Sequence, residues 1–411
     1  MQVVRPESPQ LKRSLSLPLV TFYGIGTILG AGIYVLVGKV AGYAGMFTPV
    51  AFLVSSLLAA LSAFSYAELS SRFPKSAGEA VYVQEGLGWR RLSIVVGVTI
   101  VLVGTISVAT LMHGFVGYLQ VYFTLAETPV IIALVVIMAA VVIWGIGESV
   151  IIASLMTLVE MAGLIMIIWV ARDSFDQLPQ RLPEMLPPFE LSAWGGIILG
   201  SILAFYAFIG FEDIVNVAEE VVDPRRNLPR AIIIALGITT LFYFLIAMVS
   251  IITIPPLQLA TSDAPLAMLF RKVTGQSPVA ITLISLVSVL NGALIQIIMA
   301  SRVLYGMSRQ GWLPPLLGQV NRYTHTPVLA TLIVSGTILL FALTLPLVSL
   351  AKLTSFITLI VFALINLSLW RIKLRAPQPK DIHSIPLWVP VLGFFASSGF
   401  VLYQLQHVLA G

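Results

Sequence analysis

Carboxylates and glycine runs stand out against the apolar sequence that surrounds them. Glu160 sits in Met156-Thr157-Leu158-Val159-Glu160-Met161-Ala162-Gly163, with no other ionisable residue between Glu148 and Arg172. A carboxyl alone in apolar surroundings is expensive to ionise, so it is a proton carrier, a cation ligand, or a neutral acid bonded to a neighbouring helix. The residues alone leave these readings open. Glu212 and Asp213 close the stretch Phe205-Tyr206-Ala207-Phe208-Ile209-Gly210-Phe211-Glu212-Asp213. Two adjacent carboxyls there need pairing, water or protons, unless they cap a half-helix. Further on, Glu219, Glu220 and Asp223 stand beside Arg225 and Arg226, the composition of an ion-pair cluster or a gate.

The second kind of chemistry lies in Gly24-Ile25-Gly26-Thr27-Ile28-Leu29-Gly30-Ala31-Gly32-Ile33-Tyr34. An unwound backbone at this point would offer free amides and a helix end to a carboxylate, and free carbonyls to an ammonium or a cation. An amino acid presents both charges. Close helix packing is the alternative, because Gly26-x-x-x-Gly30 is also a small-residue contact motif. A dinucleotide-binding loop is excluded, since no strand-turn-helix unit surrounds the glycines. His113, Asn291, Gln296 and Asn366 are polar residues in apolar blocks and read as helix glue, while Ser107 and Thr110 are secondary candidates for lining a site. Arg72-Phe73-Pro74-Lys75-Ser76-Ala77-Gly78-Glu79-Ala80-Val81-Tyr82 reads as a fixed turn without catalytic geometry.

The elements that must position these residues follow from composition. Apolar residues make up 58% of the 411 and charged residues 10%, against about a quarter charged in a soluble domain. Apolar blocks near 15–40, 47–70, 92–120, 129–146, 149–171, 194–220, 230–254, 279–307, 328–346, 351–371 and 386–408 are long enough to cross a bilayer, which predicts an all-α polytopic membrane protein of eleven spans in one domain. The first span is read as uncleaved. Basic residues such as Arg72, Lys75, Arg90, Arg91, Arg225, Arg302 and Arg371 gather on one side, whereas the other keeps only Lys39, Arg172, Arg181, Arg271, Lys272 and Lys352. The positive-inside bias then places the N-terminus on the cytoplasmic side and the C-terminus outside; a plasma membrane, the bacterial inner membrane, is the expected location.

The first and sixth spans are both interrupted by glycine, five spans apart. An odd offset reverses the polarity of the second group, the layout of an inverted repeat with its site at the midplane. Repeat one is expected over about 15–171 and repeat two over about 194–371, with an additional span at about 386–408. The absence of cysteine excludes disulfides and thiolate metal sites, and no metal or organic cofactor is expected. The net charge of +5 is scattered through short loops, so no nucleic-acid partner is expected; membrane lipid and, from the glycine segment, a small amino acid or amine are the expected partners, with oligomeric state undetermined. No metal set or serine-lysine pair supports an enzyme.

Several motifs resemble the amino acid-polyamine-organocation superfamily of permeases: Gly30-Ala31-Gly32-Ile33-Tyr34, the Phe73 to Tyr82 segment, Phe208-Ile209-Gly210-Phe211-Glu212 with Ala218-Glu219-Glu220 and Asn227-Leu228-Pro229, and Ala300 to Gly311. The resemblance implies a five-plus-five inverted-repeat fold of the leucine-transporter type with broken first and sixth helices. It places a substrate carboxylate on the amides of Gly30, Ala31 and Gly32, and the amine on carbonyls near Ile28 and between Tyr206 and Phe208, thus at Ala207. Tyr206 matches a gating aromatic, and Phe211 flanks the break. Members generally have twelve spans, against eleven here. Several proton-coupled relatives carry a lysine in the fifth span where this chain has Glu160, so an acid stands in place of a fixed cation. The expected function is secondary active amino acid transport, proton-coupled symport by alternating access, driven by a proton or sodium gradient. Glu160 and Glu212 are the expected coupling residues; a polyamine carrier, an exchanger, a channel or a sensor on the same fold is the alternative.

Overall fold

The computed structural model describes residues 11–120, 125–188, 190–262, 264–344, 348–376, 382 and 384–410. Among them, ten helices are long and apolar enough to cross a membrane, and the apolar helix Val328–Thr344 adds a shorter one of 17 residues. In chain order the spans are Leu17–Ala44, Thr48–Arg72, Arg90–Gln120, Glu127–Trp144, Ile146–Val170, Leu191–Phe208 continued by Phe211–Glu220, Pro224–Thr253, Val279–Arg309, Val328–Thr344, Val348–Arg375 and Trp388–Ala410. Helices dominate because a bilayer offers no partner for backbone polar groups, which must pair within their own segment. Pro18, Pro49 and Pro224 start three of the spans, at positions where a missing amide is harmless.

The first span lies at the centre, packed on the sixth, seventh, fifth and eighth, while the third packs on the eighth and the second on the seventh. Side chains such as Val136, Ile137, Leu158 and Leu402 on the fourth, fifth and eleventh spans stay exposed, as lipid-facing residues do. Asn366 is the glue its type suggests: its Nδ2 donates to Ser62 Oγ at 2.9 Å and its Oδ1 accepts from Ser65 Oγ at 2.7 Å, tying the tenth span to the second. At the N-terminal face Glu68 accepts from Lys373 Nζ at 2.8 Å and from Arg72, which fastens the same two spans.

Two expectations need correction. The first span is a continuous helix from Leu17 to Ala44, without the interruption expected at its glycines. Among the described residues no glycine between Gly24 and Gly42 has a positive φ, and the small residues serve contact instead. A Cβ at Gly24 would meet Ile214, one at Gly26 would meet Thr157, and one at Gly32 would lie 3.1 Å from the Ala207 Cα. Secondly, only Phe73 to Ala77 lies outside helix, ending on Ala77 at φ 60°; Gly78–Leu87 is a helix, and it buries Glu79 rather than leaving it in a loop. Gly78 permits this by packing on Val215 of the sixth span.

Candidate functional site

The sixth span does break, where the sequence indicated. Its helix ends at Phe208, Ile209 is extended at φ −63° and ψ 132°, and Gly210 takes φ 134°, a conformation open to glycine and strained for other residues. Space imposes the same choice, since a Cβ on Gly210 would lie 2.8 Å from the carbonyl carbon of Thr27 on the first span. Beyond the break, Phe211–Glu220 winds as a ten-residue 3-10 helix, far longer than that conformation normally runs and a mark of a hinge or strained segment. Glu212 folds back so that its Oε2 accepts from the Gly210 amide at 2.8 Å, the capping role. Asp213 Oδ2 accepts from Gln296 Nε2 of the eighth span at 2.6 Å.

The carbonyls expected near a substrate amine do converge. Tyr243 of the seventh span, fully buried, directs its hydroxyl at Ile28 O, 2.5 Å away, and at Ala207 O, 2.9 Å away. One hydroxyl proton serves one acceptor at a time, so two carbonyls share a single donor. Phe208 packs its ring edge-on against Tyr243 at 5.0 Å, and Phe211 lies between Tyr66 at 5.6 Å and Phe362 at 5.3 Å. Tyr206 is half-buried, and its carbonyl accepts the Ile209 amide at the helix end. Gly32 faces Ala207 across the contact between the spans, but its backbone is helical, so the amides expected to hold a carboxylate are part of a regular helix in this conformation. The surroundings of Gly30, Ala31 and Thr110 lie outside the described residues; Ser107 is half-buried.

Glu160 lies behind the first span and is completely buried. Asn291 Nδ2 of the eighth span donates to Glu160 Oε1 at 2.8 Å and lies 3.0 Å from Thr157 Oγ1, and Tyr34 OH donates to the Glu160 carbonyl at 2.9 Å. Glu160 Oε2 and Asn291 Oδ1 are both buried without a partner among the described residues. Each is an acceptor left without a donor, a shortage that a proton bound on Glu160 would relieve at its own oxygen. Gly26 lets the first span touch this pair, as its Cβ would fall 2.6 Å from Asn291 Nδ2. Among the described residues no cluster of His, Cys, Asp and Glu has the arrangement of a metal site.

The acids nearer the N-terminal face close the bundle there. Arg302 of the eighth span and Glu220 are both fully buried, with Nη2 3.2 Å from Oε1 and Nε 3.4 Å from Oε2. Glu219 accepts from the Ser76 amide at 3.2 Å and from Tyr305 OH at 3.4 Å. The segment before the first span joins them, since Ser14 N and Leu15 N both donate to Glu220 O at 3.0 Å and Val222 N donates to Leu15 O at 2.9 Å. Asp223 is more peripheral, 3.9 Å from Arg226. His113 pairs with Glu127 at 2.5 Å across the third and fourth spans, away from the site. The bonds of Tyr243 and Tyr34 had no local sequence signal, because Ile28 and Glu160, which they reach, lie over a hundred residues away.

A family model described as amino acid permease matches residues 15–410. The branched-chain amino acid permease BcaP of Bacillus subtilis is 31% identical over 90% of this chain and 82% of its own length. The chain belongs to the amino acid permease family. The cationic amino acid transporter 3, mitochondrial, of Arabidopsis thaliana is 30% identical over 90% of the chain, which spans only 64% of that protein. The structure of MhsT in complex with L-phenylalanine superposes with a TM-score of 0.66 at 14% identity, covering 97% of this permease and 99% of that chain. At that identity the match speaks for fold, and it confirms the leucine-transporter type. The permease is therefore a multi-pass membrane protein and a secondary transporter, not an enzyme.

Proposed function

We propose that this permease carries an amino acid across the bacterial plasma membrane, N-terminus inside, by proton-coupled symport. The observation that supports this reading most directly is the convergence of Ile28 O and Ala207 O on one buried point, with Glu160 Oε2 orphaned behind the same span. A substrate ammonium brings three N–H donors and satisfies both carbonyls, which the single Tyr243 proton does not. Gly30, Ala31 and Gly32 would receive the carboxylate if the first span unwinds on binding. Tyr206, Phe208 and Phe211 line the break and would enclose the side chain. Glu160, reached through Asn291 and touched by the first span, would carry the proton whose arrival that span senses; Glu212 would then hold the break.

Uptake into proteoliposomes, with a panel of radiolabelled amino acids and polyamines and with a proton or a sodium gradient imposed separately, tests the reading. Accumulation of an amino acid driven by the proton gradient, lost in Glu160→Gln while that variant still exchanges substrate, is the expected result. Unchanged gradient dependence in Glu160→Gln removes the coupling role. A second reading, a cationic amino acid as substrate, is favoured by Glu212 and Asp213, whose bonds come from neutral donors; preferential competition by lysine and arginine would support it.

A further inference from the structure

One buried carboxyl has no part in the mechanism above. Glu79, at the start of Gly78–Leu87, is 1% exposed. Its Oε1 accepts from Asn216 Nδ2 at a long 3.4 Å, and its Oε2 has no partner among the described residues. Asn216 belongs to the 3-10 segment of the sixth span, and its Oδ1 accepts from the Gly78 amide at 3.0 Å, so one side chain clamps the short helix to the broken span. Two further buried groups lack partners beside it, the hydroxyls of Tyr82 on the same helix and Tyr66 on the second span, whose rings meet at 6.2 Å. The pocket thus holds an acid with one weak donor and two hydroxyls able to accept or relay a proton.

We propose that Glu79 is a proton-binding site on the exit side of the transport path, loaded while the cytoplasmic face is closed and emptied to the cytoplasm when that face opens. It rests on the symport reading. The position of Glu79 suits this role, because it bridges to the same 3-10 segment that carries Glu212 and Asp213 above and Glu219 and Glu220 below. Opening must separate Gly78–Leu87 from that segment and admit water to the carboxyl.

The electrostatics agree. Burial pushes the Glu79 carboxyl up to about 8, against the pull of its own backbone amide, while the Glu212 charge raises it and the Asn216 bond lowers it. Among the described residues no cation offsets the burial. Arg72 and Lys373 are committed to Glu68, Arg90 to Gly311 O, Arg375 to Gly86 O, and Arg302 to Glu220, while Asp213 adds only like charge. A hydrated glutamate titrates at about 4.3. Between that value and about 8 the closed state holds the proton and the open state does not. Opening therefore releases one proton, and rising pH favours opening by up to about tenfold per unit, levelling off above pH 8.

The chain contains no cysteine, so a single Thr21→Cys on the buried inner part of the first span reports opening of that face to a thiol reagent in inside-out vesicles. Labelling is expected to rise with pH until about pH 8 relative to the same reporter in Glu79→Gln, whose profile lacks that component, and Glu79→Asp should restore it. Asn216→Ala, with Glu79 intact, should move the plateau to higher pH, which keeps the test valid if Glu79→Gln fails to fold. Identical profiles with and without Glu79, or an unmoved plateau in Asn216→Ala, overturn the assignment alone. Labelling that follows Glu79 while uptake ignores the proton gradient overturns the symport reading, and this proposal with it.

Discussion

Arg302→Met removes one partner of an ion pair whose two members are completely buried. Glu220 is then left without the cation that faces it, and breaking a buried pair from one side costs about 3–5 kcal/mol. The penalty falls on the closed conformation, because opening the N-terminal face would hydrate Glu220. At about 1.4 kcal/mol per factor of ten, even the lower figure shifts the ratio of closed to open molecules about a hundredfold or more. Thiol labelling at Thr21→Cys measures that ratio, and thermal unfolding in detergent reads the loss of stability. The double variant Arg302→Met with Glu220→Leu replaces the pair by apolar groups and should recover most of the loss, since such replacements are often neutral. Wild-type labelling in Arg302→Met, or a double variant no better than the single one, would refute the claim that this pair closes the face.

Other changes test the site itself. Tyr243→Phe keeps the ring contacts with Phe208 and Phe52 but leaves Ile28 O and Ala207 O without their shared donor when the site is empty. An unsatisfied buried acceptor costs about 1–3 kcal/mol, so amino acid binding should tighten by roughly fivefold or more in a direct binding assay; weaker binding would show that the hydroxyl contacts substrate instead. Gly210→Ala forces a Cβ against Thr27 at φ 134° and should cost at least about 1–3 kcal/mol in thermal stability and abolish uptake. Gly237→Ala, in a helix with open space around it, is the control and should be neutral or slightly stabilising.

The spans were legible in composition, because a bilayer tolerates only long apolar stretches whose backbone pairs internally, and that constraint is local. The sequence also marked the break in the sixth span, since a glycine between aromatics and two acids has few other uses at that depth. The glycines of the first span misled for a physical reason: the same residue type permits an unwound backbone and close packing of a helix. Only the neighbours Ile214, Thr157 and Ala207 decide for packing. Glu160 was legible as an acid in the wrong solvent, but its orphaned oxygen depends on Asn291 in another span. Tyr243, Arg302 and Glu79 carried no local signal, because a tyrosine near a helix centre, a basic residue near a span end and an acid after a proline turn are ordinary in sequence. Their roles arise from two carbonyls, a carboxylate and an asparagine that the fold delivers from far along the chain. Which apolar segments cross the membrane is a one-dimensional property, while which polar groups are left short of a partner is decided in three.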